Sequence, residues 1–495
     1  MSSTRILLLA LFACAPASKD KREKPLETEF TPPVLSAVVA VPTVLDAELF
    51  EAGYGIHQKG IRLAASGTAE VQLACTLSSD EAEVHTFSGA AAREWTLVVR
   101  GLLADSRYDC LARAFVGEAQ ATSIAFDFRT AARPNGAVTL SVDAVPGYES
   151  SAYTLLNTWV DADPFPNRRV VVVDPEGRVR WSWFLDNPSG GGIDFSLMAD
   201  GEHFLVGGGT EYEPTVVDMA GEIVFKSPDP TIGFTYHHHA AELPDGGLLT
   251  LSKTVEGDHS GFAIVVISPV TGEVTWSWNS QTAVDRLQMI PDGSPDPYHS
   301  NSVSFVDDSE GSGAWVSLRH PSQVIRIDRD SGDVTHILGR GGDFRLLDAN
   351  GGLLPDDAWF SGQHDPEFDF PKVLVHDNGV LRVPEQSSVM ELELDLDALT
   401  ATVLWTWDEP GWFEPVFGDA DRLPNGSVLV TRGACWDGCV AYNLDDERPS
   451  NYVEVEPISG EVVWRLDHQS YFGTYRAERV DGCDLFANTR YCPNP

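Results

Sequence analysis

A short motif recurs six times between residues 177 and 464, and it limits the folds open to this chain. The motif runs turn residue, Gly, x, Val, x, aromatic, with one copy lacking the Gly and one ending in His. Repeats of 40–70 residues, each holding a few short strands, are typical of β-propellers. The copies lie 44 to 69 residues apart: GRVRW ending at Trp181, GEIVF at Phe225, GEVTW at Trp276, GDVTH at His336, ATVLW at Trp405 and GEVVW at Trp464.

The internal pattern of one repeat supports this interpretation. Residues 237–278 divide into HHHAAEL, LLTLSK, AIVVISP and VTWSW, four β-forming runs separated by turns. The sequence therefore predicts an all-β protein with a six-bladed β-propeller over residues 140–495, in which the recurring aromatic residues pack between blades. An array of β-sandwiches is the alternative, although the units are short for it. A second motif, apolar-x-Asp/Asn-Gly, comes before a strand in most repeats, at 198–201, 243–246, 423–426 and 480–482, with a degenerate copy at 306–311.

The region before the repeats predicts a separate small domain. Residues 34–131 contain short alternating runs that indicate a β-sandwich, and residues 132–139 have the composition of a linker. The stretch from Leu103 to Tyr108 resembles the tyrosine corner of fibronectin type III domains, in which a Tyr hydroxyl bonds to backbone at a sandwich edge. Because nothing in this domain suggests chemistry, we interpret it as a spacer or docking module.

The N-terminus has the features of an export signal. Arg5 precedes the apolar run 6–13, which is too short to span a membrane as a mature helix. The end of this run, Leu11-Phe12-Ala13-Cys14, resembles a bacterial lipobox. That resemblance implies a lipoprotein signal peptide over residues 1–13, lipidation of Cys14 and a disordered tether over residues 14–33. We expect an exported, membrane-anchored lipoprotein facing the periplasm or the cell surface. A plain signal peptide with an incidental Cys is the alternative.

The remaining six cysteines agree with export, since an even number in an exported chain favours disulfides. Proximity in sequence suggests the pairs Cys75–Cys110, Cys435–Cys439 and Cys483–Cys492. Cys435 and Cys439 could instead be half of a metal site, but no second pair of thiol or His ligands lies beside them at metal spacing, so the disulfide is preferred.

The charge balance excludes one class of partner. The 495-residue chain has 34 basic and 74 acidic residues, a formal net charge of −40. Such a field repels nucleic acid and anionic lipid, so we expect no nucleic-acid partner. The sequence also contains no GxxxxGK[ST] loop, so nothing suggests a nucleotide donor.

Histidines occur where the repeats predict the mouth of a channel. In a propeller the first strand of each blade lines the central channel, and three consecutive repeats place His at that point: His237-His238-His239, His299 and His364. Lys253, Arg319 and Arg432 are at similar positions near the ends of second strands. Imidazole and guanidinium groups together suit a small anion such as sulfate or phosphate. A Zn²⁺ or Cu²⁺ site that includes Asp365 is the alternative, but Arg319 opposes a cation, and we assign no metal.

Several segments together resemble the bacterial arylsulfate sulfotransferases over most of residues 140–470. In that family a six-bladed propeller transfers a sulfuryl group from a phenolic sulfate ester to a phenol, without a nucleotide sulfate donor. The resemblance therefore implies small-molecule partners, an aryl sulfate and a phenol, and no cofactor. The matching segments are HSNSV at 299–303, VSLR at 316–319, RID with SGDV at 326–334, GQHD at 362–365, VLVHDNG at 373–379 and GDADRLPNGSVLV at 418–430.

The resemblance also implies roles for individual residues. His364 would be the nucleophile that is transiently sulfated in a ping-pong reaction, and His299 and Arg319 would stabilise the sulfuryl oxygens. A further His would come from residues 237–239, with His239 favoured and His238 second. We expect Asp365 and nearby backbone to hold the His364 imidazole in one tautomer, and His299 or the 237–239 segment to serve as general acid.

The candidate substrate-binding residues are Asn301, Lys253, Arg432 and Asp365. The alternative function is a non-catalytic surface propeller that binds a small anion or a protein partner. A homodimer remains an open expectation.

Overall fold

The computed structural model describes most of the chain from residue 44 to residue 491. Residues 41–495 form one compact unit. The predicted signal peptide, Cys14 and the tether lie outside the described residues. The gaps within the described range are 54–55, 133–139, 149, 151, 161–166, 185–193, 208–212, 229–233, 257–258, 284, 288–295, 434–447, 471–473, 487 and 489.

Almost all regular structure is β, which confirms the predicted all-β class. The helical segments in the described part are the α-helix α1 (Gly482–Phe486) and two 3-10 turns, Ser280–Ala283 and Asp356–Ala358. None of the described helices is both long enough and apolar enough to cross a membrane.

The N-terminal strands form one continuous antiparallel sheet. β2 pairs with β1 along its first half, with β4 along its second half and with β3 along most of its length. The predicted fibronectin type III-like sandwich is therefore not confirmed, because the long strand β2 joins both halves of the domain by hydrogen bonds. The strands are β1 (Val44–Phe50), β2 (Gln58–Leu77), β3 (Asp80–Arg100), β4 (Arg107–Val116) and β5 (Ala119–Arg129).

Two local predictions for this sheet are confirmed. Cys75 and Cys110 lie directly opposite each other on β2 and β4 and form a disulfide. The Tyr108 hydroxyl accepts a hydrogen bond from the Leu103 backbone N–H at 2.8 Å, which is the contact that defines a tyrosine corner. The other two predicted disulfides include Cys435, Cys439 and Cys492, which lie outside the described residues, so those pairings stay predictions.

The remaining described strands form six further sheets of four or five strands. The sheet orders are β31-β7-β8-β9, β10-β11-β12-β13, β14-β15-β16-β17, β18-β19-β20-β21, β22-β26-β25-β24-β23 and β27-β28-β29-β30-β6. All neighbours are antiparallel except β22 and β26. In chain order the strands are β6 (Leu140–Ala144), β7 (Ala152–Val160), β8 (Asn167–Val173), β9 (Val179–Phe184), β10 (Asp194–Leu197), β11 (His203–Gly207), β12 (Thr215–Asp218), β13 (Ile223–Lys226), β14 (Phe234–Glu242), β15 (Leu248–Glu256), β16 (His259–Ile267), β17 (Val274–Asn279), β18 (Ser300–Asp308), β19 (Gly311–Leu318), β20 (Gln323–Asp328), β21 (Val334–Gly339), β22 (Arg345–Leu347), β23 (His364–Asp369), β24 (Lys372–Asp377), β25 (Ser388–Asp395), β26 (Thr400–Trp407), β27 (Asp419–Arg422), β28 (Val428–Arg432), β29 (Arg448–Val455), β30 (Val462–Ser470) and β31 (Ala477–Asp481).

The recurring motif has the same structural place in every one of these sheets. Each motif aromatic, or His336 in its place, lies on the strand that follows the third strand of its sheet. The motif Gly supplies the tight turn before that strand with a positive φ, 79° at Gly177 and 74° at Gly272, a conformation that side chains with a Cβ resist. The register of the third and fourth strands shifts just after this turn in all six sheets. The repeat read from the sequence is thus a structural repeat.

The two ends of the repeat region interlock. The C-terminal strand β31 pairs with β7, and β6 pairs with β30, so the first and last sheets each contain strands from both ends of the region. The first strands β10, β14, β18, β23 and β27 contact one another in succession. One sequence expectation was wrong: the Asp-Gly motif at 480–482 is followed by α1 and not by a strand, because the next strand of that sheet is β7, from the start of the region.

Buried ion pairs tie the N-terminal sheet to the sheet that β31 completes. Arg180 on β9 is fully buried and donates to Glu83 on β3 and to Asp174 in the preceding turn. Burial alone would raise the pKa of Glu83, but its bonds to Arg180 and His85 hold that pKa well below the ordinary value. The N-terminal sheet is therefore anchored by charge as well as by packing.

Candidate active site

The first strands of three consecutive sheets share one irregularity. His238, His299 and Asp365 have positive φ angles of 60°, 47° and 38°. The pairing register shifts beside each of them, in the middle of β14 and at the start of β18 and of β23, so each strand has a bulge there. Bulges of this kind re-aim side chains, and a left-handed residue with a Cβ costs about 1–3 kcal/mol. The fold holds these residues in strained conformations at the place where the sequence predicts the site.

Four histidines gather there, three of them buried and His299 half-buried, and we name them the histidine cluster: His237, His238, His299 and His364. His238 Nε2 lies 3.1 Å from His299 Nε2. The ring of Tyr475 stacks on His238 with centroids 5.6 Å apart, and its ring meets His364 edge to face at 6.2 Å. Tyr475 thus lies between the His238–His299 pair and His364, and it packs against both sides.

A buried amide fixes the tautomer of His364. Asn378 Nδ2 donates to the backbone carbonyls of Glu414 and Phe417 at 2.8 and 2.9 Å. Its Oδ1 must therefore be the atom that lies 2.7 Å from His364 Nδ1, and Nδ1 carries the proton. His364 Nε2 then holds a lone pair. The sequence analysis expected Asp365 to do this work, whereas Asp365 pairs with Arg476 at 2.9 Å.

The histidine cluster is held in its uncharged form. Burial lowers the pKa of His364 well below its ordinary value, and the positive charge of Arg319 lowers it further. Burial also lowers the pKa of His238 well below the ordinary value and that of His237 to about 3. Burial and the charge of Arg319 outweigh Asp296 at His299, whose pKa is lowered too. A neutral imidazole can act as a nucleophile.

Asp296 anchors one side of the histidine cluster. Its Oδ2 lies 3.0 Å from His299 Nδ1, 2.9 Å from Lys253 Nζ and 3.6 Å from His237 Nε2. Its backbone carbonyl accepts from His320 Nδ1 at 2.9 Å, and the His320 ring stacks on His299. Lys253, predicted to bind substrate, is thus engaged with Asp296.

The structure separates the two favoured members of the His237–His239 segment. His239 Nδ1 lies 3.0 Å from Asp194 Oδ2 and 3.3 Å from Arg476 Nη1. His238, which was second choice from the sequence, is the one that contacts His299. Because His238 has a left-handed backbone conformation, its side chain and not that of His239 faces His299. The sequence alone does not reveal this conformation.

Three other predicted residues have contacts within the protein. Asn301, predicted to bind substrate, is fully buried and donates to the Gln363 carbonyl at 2.8 Å, and the Gln363 amide bonds in turn to β19 and to Gln323. These bonds position the strands that carry His299 and His364. Arg432 pairs with Glu409 and lies over the Trp412 ring. Arg319 Nη2 donates to the Pro415 carbonyl at 2.8 Å.

Several residues that shape the site were not predicted from the sequence. Asp296, His320, Tyr475 and Arg476 were not singled out, and Asn378 was noted only within the segment VLVHDNG. His320 follows Arg319 directly, and that neighbouring pair was a usable signal. Tyr475 and Arg476 precede β31, which joins the first sheet only after the whole region has closed, so no local pattern points to them.

Comparison with known proteins gives one family match. A family model described as arylsulfotransferase (ASST) matches residues 149–476. A search of curated proteins found no match.

Three solved structures show distant similarity to this chain. The chain is 14% identical to a periplasmic gluconolactonase of Pseudomonas aeruginosa, covering 83% of this chain and 99% of that one with a TM-score of 0.36. It is 11% identical to Sqt1 of Saccharomyces cerevisiae, covering 88% and 98% with a TM-score of 0.32. It is 12% identical to the hydrazine synthase of Kuenenia stuttgartiensis, covering 56% of this chain and 66% of that one with a TM-score of 0.33. These scores carry no conclusion about fold or function.

Proposed function

Since the chain belongs to the arylsulfotransferase family, we propose that it transfers a sulfuryl group from a phenolic sulfate ester to a phenol through a sulfated His364. The observation that carries this proposal is the buried, neutral His364, whose Nδ1–H is held by Asn378 so that Nε2 keeps its lone pair. The alternative, a propeller that only binds an anion or a protein partner, leaves that arrangement without a purpose.

We also propose that the six sheets of residues 140–481 are the blades of a six-bladed propeller. The supporting observations are the repeated turn and bulge in each sheet, the contacts between successive first strands and the interlocking ends. In this arrangement the histidine cluster lies where first strands from neighbouring blades converge. Residues distant in sequence can then act on one small substrate.

The first half-reaction forms a bond from nitrogen to sulfur. The donor's sulfuryl oxygens bind to Arg319 and His299, whose groups compensate the negative charge that those oxygens carry in the transition state. His364 Nε2 attacks sulfur with its lone pair as the bond from sulfur to the aryl oxygen breaks, and the phenolate leaves with that electron pair.

The leaving phenolate needs a proton, and the His238–His299 pair is placed to supply it. Binding of an anionic sulfate ester favours the charged form of nearby imidazoles, so the pair takes up one proton as the donor binds. The two Nε2 atoms, 3.1 Å apart, can share that proton before it passes to the phenolate. General acid catalysis of this kind is worth about 10²–10⁴-fold.

The second half-reaction reverses these steps with a new phenol. The neutral His238–His299 pair accepts the proton of the acceptor hydroxyl while its oxygen attacks sulfur. The N–S bond breaks, and its electron pair returns to His364 Nε2. As the sulfated product leaves, the His238–His299 pair releases the acceptor's proton to solvent, which balances the proton taken up with the donor and returns the enzyme to its starting state. No group other than the two substrates is consumed.

A two-part assay on protein lacking residues 1–19 tests the proposal. We expect release of 4-nitrophenol from 4-nitrophenyl sulfate to depend on added phenol. With donor alone, a gain of about 80 Da should appear on the peptide that contains His364, the mass of one SO₃ group retained on the nucleophile. If several aryl sulfates gave no phenol-dependent release, the binding function would be favoured. If the added mass appeared on the peptide that contains residues 237–239, the nucleophile would be one of those histidines and not His364.

We further propose that Cys14 anchors the exported protein to a membrane by lipid, as the lipobox-like segment suggests. Radiolabelled palmitate should be incorporated by the bacterial host into the full chain and not into the Cys14→Ala variant. Equal labelling of the two chains would contradict the anchor without affecting the proposed chemistry.

A further inference from the structure

Three members of the histidine cluster present nitrogen atoms to one small volume. One ligand atom each from His237, His238 and His299 can be chosen so that all three lie within 4.8 Å of one another. We propose that these three residues form a reversible Zn²⁺ site, and that the metal and the sulfuryl donor compete for the same imidazoles. The binding is independent of the proposed function, whereas the competition rests on it.

The spacing of the His238–His299 pair fits a shared metal ion. Zinc binds imidazole nitrogen at about 2.0–2.1 Å with tetrahedral geometry, which places two such nitrogens about 3.3 Å apart. The two Nε2 atoms are 3.1 Å apart. A zinc ion can therefore replace the proton between them with only a small movement of either ring.

Hydrogen-bond acceptors on the far side of two of the rings orient these rings as histidine ligands of zinc are oriented. His237 Nδ1 donates to the Ser300 carbonyl at 2.9 Å, and His299 Nδ1 lies 3.0 Å from Asp296 Oδ2. In both rings this leaves Nε2 for a metal, in the carboxylate–histidine and carbonyl–histidine patterns common at zinc sites. His238 Nε2 shares a proton with His299 Nε2, and among the described residues His238 Nδ1 is buried without a hydrogen-bond partner, so that proton can move to Nδ1 when a metal takes its place.

The charges around the site set the expected strength and the choice of metal. Asp296 contributes negative charge, but Lys253 pairs with it, and the charge of Arg319 reaches His299. These cations weaken binding and make it reversible. Nitrogen ligands favour Zn²⁺ or Cu²⁺ over Mg²⁺ and Ca²⁺, which prefer oxygen.

Occupation by zinc would stop the proposed reaction. With both Nε2 atoms bound to metal, the His238–His299 pair can neither take up the proton that the leaving phenolate needs nor contact the sulfuryl oxygens. We expect added Zn²⁺ to inhibit sulfuryl transfer, an excess of Mg²⁺ to have no such effect, and a chelator to restore the rate.

The binding test uses protein free of added metal, titrated with Zn²⁺ by calorimetry and with Co²⁺ by visible absorption. We expect one ion per chain, a tetrahedral Co²⁺ spectrum and binding weakened at least about tenfold in His237→Gln. The matched control is His203→Gln, since His203 is partly exposed and pairs with Asp200, and it should bind as the wild type does. X-ray absorption of the wild-type zinc complex should show three imidazole ligands, which keeps the test valid if His237→Gln folds poorly.

The His364→Asn variant separates this proposal from the proposed function, because it should lose sulfuryl transfer and keep zinc. Millimolar or weaker zinc binding by the wild type would overturn the inference, as would equal affinity in wild type and a folded His237→Gln variant. Zinc binding in a protein without any sulfuryl transfer would leave the site standing and contradict the proposed function alone.

Discussion

Two groups of ionisable side chains lie on or beside the first strands of the sheets. Burial keeps both uncharged, but it removes protons from one group and retains them on the other. The histidine cluster loses its protons, because burial and the charge of Arg319 disfavour imidazolium. A second group, which we name the carboxyl cluster, keeps protons: Glu367, Asp419, Asp421 and Glu478. Burial and the neighbouring carboxylates raise the pKa of Asp419 and Asp421 well above the ordinary value.

The difference between the clusters shows how burial creates different chemistry from different residues. A neutral imidazole exposes a lone pair, whereas a neutral carboxyl holds a proton and attacks nothing. The boundary between the two groups falls between two adjacent residues, His364 and Asp365. His364 bonds to Asn378, while Asp365, the next residue, pairs with Arg476. Arg476 also pairs with Asp194 and so belongs to the acidic side of the boundary.

The largest expected effect comes from removing the nucleophile. His364→Asn should lower the rate of sulfuryl transfer by at least about 10³-fold, because the covalent route is lost. The matched control is the adjacent Asp365→Asn, which should cost less than about tenfold, since Asp365 faces Arg476. Rates with 4-nitrophenyl sulfate and phenol measure both, and similar losses in the two variants would erase the proposed division between the clusters.

The next largest effect should come from changing Arg319, the cation beside the histidine cluster. Arg319→Lys should lower the rate about 10²-fold, because a point charge cannot reproduce a guanidinium that binds the Pro415 carbonyl and also faces the sulfuryl oxygens. Arg432→Lys is the control, since Arg432 pairs with Glu409. Equal losses in both variants would return Arg432 to the list of substrate-binding residues.

A smaller change should follow from altering the residue that positions His364. Asn378→Asp keeps an acceptor for Nδ1 but adds a negative charge, which stabilises imidazolium and raises the pKa of His364. We expect kcat to fall about tenfold and the acidic limb of the pH–rate profile to move to higher pH. A merely structural role would lower activity at every pH without moving the limb, and unfolding curves would separate a loss of stability.

The sequence indicated which candidate residues come together better than it indicated their contacts. The repeat and the HSNSV and GQHD segments pointed to His299, Arg319 and His364 as candidates, because these residues have fixed places relative to turns that can be read locally. The choice of His238 over His239 depends on a left-handed residue in a bulge. The roles of Asn378, Asp296 and Arg476 depend on contacts between chain segments that come together only in the folded protein. The spacing of residues along the sequence does not reveal such contacts.

The two clusters should give opposite dependences of stability on pH. The pKa of His237 is about 3 in the folded protein and about 6.5 in the unfolded chain. As the pH falls through this window, the unfolded chain binds a proton that the folded protein refuses, so the free energy of unfolding decreases. His237→Gln should reduce the slope by about 1.4 kcal/mol per pH unit. Urea unfolding at several pH values between 5 and 7 measures the slope, and an unchanged slope would contradict a neutral His237.

The carboxyl cluster should produce a weaker slope of the opposite sign. Burial and the charge of Asp194 raise the pKa of Glu478 from 4.5 to about 8. As the pH rises from 4.5 to about 8, the unfolded chain releases a proton that the folded protein keeps, so the free energy of unfolding falls. Because Glu478 is partly exposed, we expect less than half of the full slope of about 1.4 kcal/mol per pH unit. Glu478→Gln should flatten the curve between pH 7 and 8, where the buried histidines no longer titrate, and leave it unchanged below pH 4.5. If the variant instead left the curve between pH 7 and 8 unchanged, Glu478 would be ionised in the folded protein, and the charge of Arg476 would be strong enough to ionise it.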